Sequence, residues 1–159
     1  MHPRRLLSFG FVALLGPVLI LPARNRDIKP CELLTPAQVS TVLPQHDAGM
    51  VAANGESLIK GVKSYQCSYT TPAINLLTVI VTVAADDAAF GKIAPSESMH
   101  SDHRQIKVGD RGWVYGEDND LKVSVVKGHA LVDLELMATG ARQKAHALVE
   151  LARAVAQKV

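Results

Sequence analysis

The sequence predicts an α+β fold in which a mainly antiparallel sheet of about five strands packs against a short N-terminal helix and a long C-terminal helix. Three observations support this prediction. Between residues 64 and 137 several segments alternate apolar and polar residues, as strands do. Helical patterns flank these segments on both sides, near residue 35 and over residues 141–158. Two cysteines, Cys31 and Cys67, predict one disulfide that joins the first helix to the sheet.

Residues 1–23 are predicted to form an export signal. Arg4-Arg5 precede the apolar run Leu6–Leu21, and Ala23 supplies a small residue where a signal peptidase cleaves. The run contains a Gly-Pro pair and is shorter than the roughly 20 apolar residues of a spanning helix. Cleavage is therefore favoured, with an uncleaved N-terminal anchor as the alternative. We expect a secreted or periplasmic protein without a membrane span after signal cleavage.

Composition limits the domain count and the classes of partner. The chain has 159 residues, of which 17 are Lys or Arg and 15 are Asp or Glu. Two of the arginines lie in the signal, so the remainder carries equal numbers of basic and acidic residues. Because nucleic-acid binders need a surplus of cations to contact phosphates, no nucleic-acid partner is expected. Residues 24–30 are predicted to form a linker and residues 31–159 a single domain.

The first helix has clear start signals. Thr35 is suited to the N-cap, Pro36 to the first helical position, and Gln38 to the reciprocal hydrogen bonds of a capping box. Cys31 lies just ahead of this helix. In an oxidising compartment it is predicted to pair with Cys67, with two free thiols as the alternative. No Cys-x-x-Cys pair is present, so redox catalysis is not expected.

The strands follow in order along the chain. Residues 45–63 are rich in glycine and are predicted to form a loop, with one edge strand around Leu58 and Ile59. Thr78 and Thr82 lie on the polar face of the most apolar strand, which should be central. The predicted strands are Ser64–Thr70, Leu76–Val83, Trp113–Tyr115, Leu121–Lys127 and Ala130–Met137, the last three forming a meander.

Two further segments are predicted to be helical. Asp86-Asp87 begins a short helical stretch that Pro95 ends. In the alanine-rich segment 141–158, Leu148, Ala152 and other apolar residues recur at helical spacing. Small residues on its inner stripe allow this helix to pack closely across the sheet.

Four aromatic residues on predicted strands form the candidate contact site: Tyr65, Tyr69, Trp113 and Tyr115. If their strands adjoin, the rings can line a shallow cleft or a contact patch with polar tips exposed. Ordinary core packing in a chain that has few large side chains is the other interpretation, and apolar residues at strand spacing favour it.

Other polar groups give weaker signals. His100 and His103, with Glu97 nearby, offer imidazole and carboxylate ligands for zinc or copper, but a solvated polar loop is the favoured interpretation. Asp133 and Glu135 should point outward from the last strand, where a solvated face accounts for both. No serine-elbow, phosphate-loop or dinucleotide motif occurs, so no catalytic residue and no cofactor is expected.

Three short motifs carry a family resemblance. They are Cys31-Glu32-Leu33-Leu34-Thr35-Pro36, Gln66-Cys67-Ser68-Tyr69 and Val108-Gly109-Asp110-Arg111-Gly112-Trp113, followed by the alanine-rich helix. Their order resembles small secreted or lipoprotein-like bacterial domains of unknown function, which are in turn similar to extracytoplasmic sensor domains of bacterial serine/threonine kinases. The resemblance implies a bridged α+β domain and brings no catalytic residues. Unlike the lipid-anchored members, this chain lacks a cysteine at the predicted cleavage site.

Together these observations favour an exported, non-enzymatic binding or sensor-like module for a small ligand or an envelope protein. An envelope metal-binding protein that uses His100 and His103 is one alternative. A small hydrolase with an unrecognised site is another.

Overall fold

A computed structural model describes residues 28–55, 57–95 and 103–159. The predicted export signal, most of the predicted linker and His100 lie outside these ranges. The helices are α1 (Pro36–Ser40), α2 (Asp87–Phe90) and α3 (Ala145–Ala156), with 3-10 turns at Pro30–Glu32 and Ala141–Lys144. The strands are β1 (Met50–Asn54), β2 (Val62–Thr70), β3 (Leu76–Ala84), β4 (Arg104–Gln105), β5 (Arg111–Gly116), β6 (Asp120–Lys127) and β7 (Ala130–Met137).

The strands form one antiparallel sheet in the order β1-β2-β3-β7-β6-β5-β4. The α+β class and the β5-β6-β7 meander are therefore confirmed, but the predicted count of about five strands is too low. The two additional strands, β1 and β4, lie at the edges of the sheet, and their sequences lack a clear alternation of apolar and polar residues. β1 is rich in alanine, and β4 has only two residues. The edge strand predicted around Leu58 and Ile59 is wrong, because those residues lie in the loop that follows β1.

The core lies between one face of the sheet and the helices. Alternate residues of β2, β3, β7 and β6 point toward it, and α3 packs across β6 and β7. Its fully buried members include Val39, Leu77, Val79, Val123, Val132, Leu134, Leu136, Leu148 and Ala152. Within the described ranges, no helix is long and apolar enough to cross a membrane.

The predicted capping box of α1 is present. The Gln38 amide N–H donates to Thr35 Oγ1 at 3.3 Å, and the Thr35 N–H donates to Gln38 Oε1 at 2.9 Å.

Two lysines connect the C-terminal segment to the segment around α1. Lys144 Nζ donates to the Val42 carbonyl at 2.8 Å, and Lys158 Nζ donates to the Leu33 carbonyl at 2.6 Å. The C-terminal helix region thus closes over the first helix.

The predicted disulfide is confirmed. Cys31, in the first 3-10 turn, is bonded to Cys67 on β2. Cys67 is fully buried, and Tyr69 Oη donates a hydrogen bond to the Cys31 carbonyl at 3.2 Å. Because α1 has only five residues and short helices are marginal on their own, this bond helps to hold it on the sheet.

A carboxylate next to β2 predicts acid sensitivity. Asp47 accepts hydrogen bonds from the Thr70 hydroxyl at 2.6 Å and from the Thr70 and Gly49 amides. The Thr70 hydroxyl is the main cause that lowers the pKa of Asp47 below its ordinary 3.8. A group whose pKa is lowered by folding stabilises the fold above its unfolded pKa, and this stabilisation is lost as the pH falls through the folded pKa.

We therefore expect Asp47→Asn to reduce the free energy of unfolding most above about pH 5, with the difference from wild type shrinking below about pH 4. Urea unfolding of both proteins across that range measures it. A difference that stays constant with pH would show that the Asp47 charge is not the cause.

Candidate functional site

The sheet separates the four aromatic residues that the sequence singles out. Tyr65 and Tyr69 lie on the core face of β2 and are 4% and 3% exposed. Trp113 and Tyr115 lie on β5 and point to the opposite face of the sheet. In the sheet, β3, β7 and β6 lie between β2 and β5. The condition that these strands adjoin is not met, so the four rings do not form one surface. The β2 pair packs in the interior, whereas the β5 pair lines a cleft.

This cleft, which we call the outer-face cleft, lies on the sheet face opposite α3 and has a volume of about 460 Å³. One cross-strand row runs through it, in which Trp113 lies opposite Ser124, Ser124 opposite Asp133, and Asp133 opposite Ile80. Ser124 and Asp133 belong to its floor, and Trp113 and Ile80, at the ends of the row, belong to its walls. Four neighbouring strands span about 14 Å. Residues 92–95, after α2, and His103, before β4, form its other walls.

Three floor side chains form a directed chain of hydrogen bonds. Ser124 Oγ donates to Asp133 Oδ1. Because a serine hydroxyl has a single hydrogen, the 3.0 Å contact between Tyr115 Oη and Ser124 Oγ has the tyrosine as donor. Burial raises the pKa of Tyr115, which keeps its phenol protonated at neutral pH. The chain therefore runs from Tyr115 through Ser124 to Asp133.

A second polar group lies beside this chain on the same face. Lys122 Nζ is 2.9 Å from Glu135 Oε1 and 3.8 Å from Asp120 Oδ2. The hydrogen bond with Glu135 raises the pKa of Lys122, so the ammonium stays charged at neutral pH. Neighbouring acids thus balance the lysine on the cleft floor.

Trp113 is held firmly as part of the cleft wall. It is 7% exposed, and the guanidinium carbon of Arg111 lies 5.7 Å from its ring centroid, within cation–π range. Ile80, Ile93 and Pro95 supply the neighbouring apolar surface. The cleft is therefore lined by a fixed indole together with aliphatic side chains.

The histidine prediction is only partly within the described residues. His103 lines the outer-face cleft, whereas His100 lies outside the described ranges. Among the residues that the structure describes, no group of three His, Cys, Asp or Glu side chains is placed to hold a metal ion. The metal prediction therefore gains no support from this part of the chain.

Asp133 and Glu135 point outward, as the alternation of β7 predicts, and both line the cleft. Their cross-strand partners also have a signal in the sequence. The turn at Gly128-His129 joins Lys127 to Ala130, and counting back from that pair places Ser124 opposite Asp133 and Lys122 opposite Glu135. The register of one tight hairpin thus fixes the polar centre of the site.

The polar centre can hold a bound molecule. Ser124 Oγ and the carboxylates of Asp133 and Glu135 can accept hydrogen bonds from a ligand and orient its polar groups. Comparison with family models, curated proteins and solved structures yields no match to this chain, so its function has to be inferred from this geometry.

Proposed function

We propose that this chain is an exported, non-enzymatic binding module whose outer-face cleft takes a small amphipathic molecule. The observation that carries the proposal is a concave site with apolar walls and an internally hydrogen-bonded polar floor. Small-molecule sites typically combine a largely apolar lining with a few fixed polar groups that orient the ligand. A volume of about 460 Å³ lies within the range of small-molecule sites and accommodates a ligand of two or three rings.

The lining suggests how such a molecule would lie. An apolar ring would contact Trp113, Ile80 and Ile93, which lie on the walls. Oxygens predominate on the floor, and the Tyr115 hydrogen is already donated to Ser124. The ligand would therefore present hydrogen-bond donors toward the floor, where carboxylate and hydroxyl oxygens accept them.

Export is part of the same proposal. A Cys31–Cys67 disulfide persists in oxidising compartments and is rare where thiols are kept reduced, which supports a secreted or periplasmic location. The sensor-like role rests on the family resemblance alone. In that role the module would report ligand occupancy to an envelope partner.

The location of tryptophan makes the cleft directly observable. Trp113 is the single tryptophan of the chain, so intrinsic fluorescence reports on the cleft. We suggest N-phenyl-1-naphthylamine as the probe, because it is uncharged, has two aromatic parts and carries one N–H donor. Binding should increase the dye emission and quench Trp113 by energy transfer. A library of small amphipathic fragments extends the test to other shapes.

Removing one hydroxyl should weaken this binding selectively. For Tyr115→Phe we expect the Kd of the dye to rise about five- to tenfold, because the floor loses the donor that orients Ser124 and one polar contact with it. Tyr65→Phe is the matched control, since it removes the same hydroxyl from a residue on the core face. Dye titration of the three proteins measures the effect.

Two outcomes would contradict the proposal. One is that neither the dye nor any fragment perturbs Trp113. The other is that Tyr115→Phe and Tyr65→Phe change the dye affinity equally, which would place binding elsewhere on the molecule.

A further inference from the structure

We propose that two copies of this chain associate through β1, which would join their sheets edge to edge in an antiparallel pair. The inference concerns the sheet edge opposite β4 and does not depend on the proposed ligand site. Among the described residues, β1 pairs with β2 alone, so its other side presents unpaired backbone N–H and C=O groups. Such an edge is a template for another strand.

The two edges of the sheet differ in the way that this proposal requires. β4 is two residues long and contains Arg104, and both features discourage edge pairing. β1 has five residues, Met-Val-Ala-Ala-Asn, without a charge or a proline. Proteins protect sheet edges with lysine, proline, inward charges or bulges; of these β1 has only the register irregularity between Val51 and Ala53.

Exposed apolar side chains are concentrated at the same edge. Met50 is 66% exposed and Val51 is 52% exposed, although both lie within a strand. Two of the six exposed large hydrophobic residues in the described ranges thus lie within the five residues of β1, whereas Ile59, in the loop that follows, lies beside the start of β2 and the end of β3. Association would remove part of this surface from water.

A second copy fits this edge better than a charged partner. β1 carries no charge, so an antiparallel pair of copies places no like charges opposite each other. After removal of the predicted signal the chain has equal numbers of basic and acidic residues, so copies do not repel each other through net charge. A two-fold axis then uses the same backbone groups on both sides.

The pairing should be weak. The register of β1 with β2 shifts between Val51 and Ala53, so only a short stretch of regular backbone is available. A five-residue edge buries less area than a standard-sized interface does. The dimer is therefore expected to form at high protein concentration and to dissociate on dilution.

Sedimentation velocity tests the proposal. The protein is purified from a bacterial host that exports it and is measured at protein concentrations from about 1 μM to about 1 mM. The wild-type protein should show a monomer–dimer equilibrium. Met50→Lys should raise the dimer dissociation constant at least about tenfold, because like charges then approach across the two-fold axis. Met137→Lys is the matched control, since Met137 is 46% exposed on β7 and two strands separate it from β1.

A second experiment tests whether opposite charges on β1 restore the association that like charges prevent. Val51→Lys and Val51→Glu should each be monomeric alone, and their equimolar mixture should form a heterodimer. Circular dichroism establishes that each variant is folded. A wild-type protein that stays monomeric at the highest concentration, or equal effects of Met50→Lys and Met137→Lys, would overturn the proposal.

Discussion

Replacing Cys31 and Cys67 together by alanine is expected to lower the free energy of unfolding by about 4 kcal/mol. The disulfide joins residues 36 positions apart, and closing a loop of that size in the unfolded chain costs about this much conformational entropy. Domains of this size are stable by only about 5–15 kcal/mol, so the loss is a large fraction of the total. Urea unfolding of the double variant and the wild-type protein measures the difference.

Reduction provides the control for this prediction. A reducing agent should destabilise the wild-type protein by a similar amount and leave the double variant unchanged. The bond ties the first 3-10 turn to β2, so amide hydrogen exchange should increase first in α1. Equal unfolding free energies of the bridged and unbridged proteins would contradict the expectation.

The elements that the sequence predicts correctly are those with a local signal. Thr35, Pro36 and Gln38 specify the start of α1 by their own side-chain hydrogen bonds and backbone limits, and the capping box forms as expected. β2, β3, β6 and β7 alternate or are rich in β-branched residues, so their side chains reveal the strand. β1 lacks such a pattern and is a strand because β2 supplies its hydrogen bonds. Tertiary pairing of this kind has no signal in a single sequence.

The sequence predicts the candidate site less completely than the fold. Of the four aromatic residues that it groups together, Trp113 and Tyr115 line the cleft, whereas Tyr65 and Tyr69 lie on the other face of the sheet. The face of the sheet that becomes the core is the one on which α3 packs. The pattern of a strand shows only that its residues alternate between two faces, and it does not show which face α3 covers. The strand order also matters, because β7 lies between β3 and β6 and brings Asp133 to the centre of the cleft. Long-range pairing decides both points.

The turn that follows Tyr115 gives the second large effect. Gly116 has φ +114°, and a Cβ placed there would lie 2.2 Å from the backbone oxygen of Asp120. That oxygen also accepts the Glu117 N–H at 2.8 Å, so it cannot move without opening the β5-β6 hairpin. We therefore expect Gly116→Ala to lower the free energy of unfolding by roughly 3 kcal/mol or more, from backbone strain together with the clash.

Gly128→Ala separates the two causes of this loss. Gly128 also has a positive φ, +55°, but a Cβ there would meet no atom within 4 Å, so only about 1–2 kcal/mol of backbone strain is expected. The β5-β6 hairpin also positions Tyr115 near Ser124, so Gly116→Ala should weaken binding of the naphthylamine dye. Urea unfolding and dye titration of both variants measure these effects. Equal losses of stability in the two proteins would show that the contact with Asp120 does not restrict residue 116, and the hairpin would then not be the rigid support of the cleft.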